Sequence, residues 1–235
     1  MSLRAATKRG VVEGEGLEIL QDHEQAFRRI ALPGLYEEGN SGLGEGSDRG
    51  WEQLTKIVVG GLPGSGKTTF AKLLAEKLGF RYVGTGAIFR SMAKERRMSL
   101  EEFSKYAEAH DEIDRMLDEE QVRQAQEGDV VVDSRLGAWM IDDADLKVCL
   151  IASLDERARR AAGRDGLEPE EARRKVAERE KSEKKRYREF YGIDVTELER
   201  FDLIVNSETF SPDQIFNIVV AALQQLKSQR SKQGS

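Results

Sequence analysis

The sequence predicts an α/β domain over residues 55–229: a parallel five-stranded sheet with helices on both faces, and a helical lid over about 160–192. Three observations predict it. Five short apolar runs alternate with helical stretches, the pattern of strands joined by helical crossovers. One strand-to-helix joint carries a glycine-rich loop with a lysine and a threonine at its end. One late helical stretch, Pro169–Phe190, is charged all round and stands apart from the apolar runs.

In chain order, composition changes near residue 54. Residues 1–54 hold nine of the 22 glycines, and their ten acidic against six basic residues leave a net charge of −4. Only Leu17–Ile30 has the pattern of a helix there, so the segment reads as a mostly flexible, Gly-rich acidic extension, with a regulatory or partner-binding arm as the other reading. Lys56–Gly60 then reads as a buried strand and Lys67–Leu78 as an amphipathic helix closed by Gly79. Between them Gly61, Leu62, Pro63, Gly64, Ser65, Gly66, Lys67 and Thr68 spell G-x-x-x-x-G-K-[ST]. Glycines let such a backbone wrap an anion, and the helix N-terminus adds partial positive charge. This strand–loop–helix context predicts binding of a nucleoside triphosphate. Lys67 reaches the β- and γ-phosphates and the Thr68 hydroxyl holds Mg²⁺.

The strand Arg81–Val83 leads into Gly84-Thr85-Gly86 and a helix from Ala87 to Glu95. Thr85 offers a hydroxyl, Gly86 a tight turn, and Arg90 follows about one helical turn later, which suits a second anionic group opposite the first loop. A simple helix cap by Thr85 beside a solvated arginine fits that stretch equally well. Helices are expected at Leu100–Ala109 and Asp111–Glu127, then a strand at Asp129–Asp133 that ends in Asp133-Ser134-Arg135. Asp133 is placed to support a magnesium ion, and Arg135 to contact an acceptor phosphate. Leu146–Ala152 and Asp202–Val205 are the remaining strands; Asp155–Arg164 and Pro212–Leu226 the remaining helices, with a disordered tail over 230–235.

Within Pro169–Phe190, residues Arg179, Glu183 and Arg186 are spaced i, i+4, i+7 and share a face. A carboxylate between two arginines can aim both guanidinium forks at phosphate oxygens. Arg160 and Arg164 on the preceding helix are expected to face the connection into this segment, making a mobile cationic lid. A solvated face laced with ion pairs is the other reading of the same spacing.

Composition narrows the class. A charged fraction of 34% against 39% hydrophobic suits a soluble protein with exposed helices. Neither a membrane-length apolar run nor a secretory leader is visible, so a cytoplasmic location is expected. The lone Cys149 sits in an apolar run, and it forms no metal-ligand cluster with His23 and His110. The net charge of −6 argues against a general nucleic-acid-binding surface. A monomer is expected.

The stretches GLPGSGKTTFAKLLAEKLG, GTGAIFRSMAKERRMSLEEFSKYAE, GDVVVDSRLGAWM, DADLKVCLIASLDERARR and EREKSEKKRYREFYGID resemble the nucleoside monophosphate kinases, and within them the archaeal-type cytidylate kinases. The resemblance runs in family order over nearly all of residues 56–226 and leaves the extension uncovered. It implies the P-loop nucleoside monophosphate kinase fold and transfer of the ATP γ-phosphoryl group to CMP or dCMP. Lys67 and the loop up to Thr69 would bind ATP, with Arg160 on the ATP side, and Thr68 and Asp133 would serve Mg²⁺. Thr85, Gly86, Arg90 and Arg135 would bind the acceptor, and Arg179, Glu183 and Arg186 would form the lid clamp. Bacterial cytidylate kinases carry an acid directly after the arginine that matches Arg135; here Leu136 stands there, and Ser134 replaces the usual glycine. No base-reading residue is therefore carried over. Two alternatives stay open: another small-molecule kinase of this fold, such as an adenylate or shikimate kinase, and a non-catalytic nucleotide-dependent switch. A hydroxyl acceptor calls for a nearby carboxylate, and position 87, acidic in many relatives, is alanine.

Overall fold

The computed structural model describes residues 55–233, and the extension over 1–54 with its expected helix lies outside the described residues. Five strands form one parallel sheet: β1 (Lys56–Gly60), β2 (Arg81–Gly84), β3 (Val130–Asp133), β4 (Leu146–Ile151) and β5 (Leu203–Asn206), in the order β2-β3-β1-β4-β5. Each lies within two residues of its sequence expectation. The register aligns Val59 with Asp133 and Gly60 with Cys149, so the carboxyl ends of β1, β3 and β4 form one edge. Chain order reverses at β1, which makes that edge the crevice where open α/β sheets take ligands.

The helices are α1 (Lys67–Leu78), α2 (Gly86–Glu95), α3 (Leu100–Ala107), α4 (Asp111–Ala125), α5 (Gly137–Met140), α6 (Leu154–Asp165), α7 (Pro169–Tyr191) and α8 (Pro212–Gln233). The four-residue α5 and a 3₁₀ turn at Leu198–Arg200 are additions to the expected set. α8 continues to Gln233, where residues from 230 were expected to form a tail.

Alternation along β1 decides the layers. Ile57 and Val59 face α1 and α8 with Phe70, Leu74, Ile215 and Val219, whereas Val58 faces the other side with Val130, Val132 and Ile141. All three β1 side chains are fully buried, each worth roughly 1.5–3 kcal/mol. Helix ends follow local chemistry. Ser99 and Glu102 make a reciprocal capping box on α3, and the Ser153 hydroxyl accepts from the Glu156 amide to start α6. Pro169 starts α7 and Gly192 ends it. α6 and α7 pack against each other through Ala161, Ala172 and Val176, a small core separate from that of the sheet. Among the described residues no helix is long and apolar enough to cross a membrane.

Candidate active site

The loop between β1 and α1 owes its path to its glycines. Gly64 (φ +82°) lies against Arg157, where a Cβ would come within 2.8 Å of the Arg157 carbonyl oxygen. Gly66 (φ +89°) is the N-cap of α1 and supplies no capping side chain. The first intrahelical bond runs from the Phe70 amide to the Gly66 carbonyl (3.0 Å), so the amides of Lys67, Thr68 and Thr69 have no acceptor within the helix. The Ser65 hydroxyl is buried without a partner. An uncapped helix start beside an unpartnered donor fits a phosphate chain.

These groups open onto a cavity of about 380 Å³ at the carboxyl edge of the sheet. Gly64, Gly66, Lys67, Thr68, Thr69, Thr85, Gly86, Arg90, Asp133, Arg135, Arg160, Arg179, Glu183 and Arg186 all line it, whereas Gly61, Leu62, Pro63 and Ser65 of the expected set do not. The Lys67 ammonium is buried, 3.5 Å from the Leu62 carbonyl oxygen. Burial, with Arg135 beside it, pushes this lysine down to about 7. The Thr68 hydroxyl donates to Asp133 Oδ2, which also accepts from the Tyr82 hydroxyl (3.0 Å). A hydroxyl and a carboxylate in contact at a phosphate loop suit Mg²⁺, which takes one or two protein oxygens and completes its shell with phosphates and water. Among the described residues no cluster of three or more metal-binding side chains exists that would form an all-protein cage.

Thr85 is the N-cap of α2, yet its side chain makes no capping bond, and the Arg90 guanidinium folds back to 3.5 Å from the Cβ position of Gly86. Arg135 donates to the Gly61 carbonyl oxygen (2.6 Å) and pairs with Glu183. Glu183, 4% exposed, also accepts from Arg179 Nε at 2.9 Å. Burial raises its carboxyl, but the Arg135 and Arg179 guanidinium groups prevail and hold it at about 2.

Two expectations need correction. Arg186 is not clamped by Glu183. It pairs instead with Asp114 on α4 and lies over the rings of Phe89 (5.3 Å) and Tyr187 (5.5 Å). Glu183 stands one turn before it, but both Glu183 oxygens are taken by Arg135 and Arg179, and the Arg186 fork turns to the acid that α4 presents. Arg160 does not face the α6–α7 connection; it bonds Glu156 (2.7 Å) and Ser207 (2.9 Å to the hydroxyl), and its Nη1 lies 3.3 Å from the Cβ position of Gly66. Ser207 in turn donates to the Ser65 carbonyl oxygen (2.9 Å), tying the segment after β5 to the loop.

Sequence reasoning missed other members. Arg157 is buried, donates to the Pro63 carbonyl oxygen (3.1 Å) and pairs with Glu180 of α7 (2.9 Å). Its i, i+3, i+7 spacing with Arg160 and Arg164 was an available signal. Gln121 of α4 donates to the Asp133 carbonyl oxygen (3.2 Å), which brings Asp114, Leu117 and Asp118 of that helix to the cavity wall. Leu136 is 1% exposed and packs inward.

Asp118 is held high. Burial is the main cause and the neighbouring Asp114 adds to it; the Tyr191 hydroxyl and Arg186 on α7 oppose them, and the result is about 7. The folded protein therefore keeps a proton that the unfolded chain releases near pH 4. Stability from this group is present below pH 4 and is lost as pH rises through 7. Asp118→Asn should be roughly 2 kcal/mol more stable than the parent at pH 8 and nearly equal to it at pH 4, read by urea unfolding at both values.

The comparisons with known proteins converge on one family. The model for the cytidylate kinase-like family matches residues 56–209. A cytidylate kinase of Pyrococcus horikoshii is 52% identical over 170 residues, 72% of this chain and 88% of that protein. One from Methanocaldococcus jannaschii is 47% identical over 175 residues, 73% of this chain and 98% of that protein. Among solved structures, a gluconokinase from Sinorhizobium meliloti aligns with a TM-score of 0.52 at 18% identity over 77% of this chain and 98% of its own, a likeness of fold alone. With its glycine loop, its cationic cavity and these relatives, the chain belongs to the cytidylate kinase-like family.

Proposed function

We infer that this chain is a phosphotransferase that moves the γ-phosphoryl group of ATP to CMP or dCMP, releasing ADP and the nucleoside diphosphate. The observation that carries the reading is the convergence of Lys67, Arg90, Arg135, Arg160 and Arg179 on one cavity with the open start of α1. The attacking oxygen belongs to a monophosphate and is already ionised, so no general base is needed. The difficulty is repulsion between two polyanions, which positioned cations remove.

Lys67 and the amides of the loop from Gly61 to Thr69 hold the donor phosphates, with Arg160 over the loop. Thr68 and Asp133 would hold Mg²⁺, which would supply positive charge against the phosphate oxygens. Thr85, Gly86 and Arg90 hold the acceptor phosphate. Arg135 and Arg179, oriented by Glu183, neutralise the group in flight, and Arg186 orders the acceptor side. The acceptor oxygen bonds to the γ-phosphorus as the bond to the β-γ bridging oxygen breaks, and that oxygen leaves on ADP. The α6–α7 hairpin acts as the lid: Arg157 and Glu183 already tie it to the loop and to Arg135 beyond β3. Closure excludes water and limits wasteful hydrolysis. The enzyme works as a cytoplasmic monomer in this reading.

A panel of nucleoside monophosphates, followed as ADP release with and without Mg²⁺, tests the proposal. ATP consumption should rise strongly with CMP and dCMP and stop on chelation. Stimulation by AMP alone, or by none, overturns it. In the same assay Arg90→Ala should raise the KM for CMP about tenfold or more and leave that for ATP nearly unchanged.

A further inference from the structure

We propose that Asp118 reads the base of the acceptor, its carboxylate taking a hydrogen bond from the exocyclic amine of cytosine, with Tyr191 holding the carboxylate in place. The proposal rests on the cytidylate kinase reading and names the subsite that reading leaves unassigned.

Four observations lead there. The bond from Gln121 to the end of β3 fixes the level of α4, which runs antiparallel to that strand. Residues earlier in the helix therefore rise above the sheet edge, Asp118 about one turn up and Asp114 about two. Both line the cavity that also holds Arg90 and the glycine loop. Of these two acids, Asp114 is committed to Arg186. Asp118 accepts one bond, from the Tyr191 hydroxyl at 3.0 Å, and no other among the described residues. Tyr191 is itself backed by the Arg115 guanidinium, 5.5 Å from its ring centroid. A carboxylate with one oxygen fixed and acceptor capacity to spare thus faces a cavity already supplied with phosphate-binding cations.

The surrounding surface suits a flat ring. Phe89, Leu117 and Tyr187 give the same cavity apolar walls, each less than 10% exposed. The buried Arg186 Nε is a donor without a hydrogen-bond partner, matching the acceptor atoms at the N3 and O2 side of a pyrimidine. Cytosine presents an amine where uracil presents a carbonyl, and an aspartate accepts from the first and repels the second. The charged and titratable groups around Asp118 are Asp114 on its own helix and Arg186 and Tyr191 on α7; at pH 8 the carboxylate is the major form.

The test uses the full chain at pH 8, with kcat and KM measured for CMP, dCMP and UMP and melting temperature measured beside them. Asp118→Asn retains the shape and offers an amide donor. Its kcat/KM for CMP and dCMP should fall about 10–100-fold, mainly through KM, while that for UMP holds or rises. Asp118→Ala should lose CMP to a similar degree and gain nothing with UMP, and Tyr191→Phe should show a smaller loss of the same sign. An unchanged CMP to UMP ratio in Asp118→Asn overturns the proposal while the kinase reading stands. An equal fall for both nucleotides assigns Asp118 to a sugar contact or to structure, which overturns it too. Wild-type protein that phosphorylates no monophosphate defeats the kinase reading and the subsite together.

Discussion

Lys67→Ala should lower phosphoryl transfer to CMP by about 10²–10³-fold, with a melting temperature within a few degrees of the parent. The chemical argument is electrostatic: a single preorganised donor at developing charge contributes about 3–4 kcal/mol in a water-poor site. The folding argument runs the other way. Among the described residues Lys67 has no carboxylate within ion-pair distance, and its burial beside Arg135 has already depressed its ammonium to about 7. Above that value the unfolded chain binds more protons at this position than the folded one, so the residue lowers stability near neutral pH, and removing it does not weaken the fold. Phosphate anions reverse the balance by favouring the charged form. Initial rates of ADP release, set beside a thermal melt, separate the two effects. Parental turnover in the variant would remove the loop from the reaction.

Glu183→Ala should be the most damaging change to both stability and turnover. Glu183 is buried between Arg135 and Arg179, and its removal leaves two guanidinium groups in a cavity wall without their shared acid. Breaking a buried pair from one side costs about 3–5 kcal/mol, which for a domain of this size lowers the melting temperature by about 10 °C. Turnover falls as well, because the same contact aims both forks. A specific signature distinguishes this from general damage. The uncompensated cations should bind a polyanion more strongly, so ATP should raise the melting temperature of Glu183→Ala by more than it raises that of the parent. Glu183→Gln, which keeps the shape, should fall between the two. A variant as stable as the parent would show that Glu183 is not the keystone of the cationic wall.

The layered sheet was legible because its strands are short, wholly apolar and separated by helices of clear period; β1 and the loop after it needed nothing else. The four residues of α5 escaped because Gly137–Met140 is shorter than the repeat that reveals a helix. Arg179 with Glu183 was read correctly from i, i+4 spacing, since the two side chains pair directly on one helix and Glu183 also takes Arg135. Arg186 was not, because a shared helical face says nothing about which element lies opposite each turn; the partner of Arg186, Asp114, is 72 residues distant in sequence. Asp118 was invisible for a related reason. In Asp111–Ala125 acids at every turn look like a solvated surface, and only the bond from Gln121 to the end of β3 shows which of them face inward.

The pairing of β1 has a consequence for synthesis on the ribosome. Its two neighbours begin much further along the chain, at Val130 and Leu146. A nascent chain that ends before Leu146 contains every residue of the glycine loop but not the strand that braces it on one side. Nucleotide capture must therefore wait until translation has passed Ile151, and until then this most recognisable stretch of the polypeptide is only a pliant string awaiting its frame.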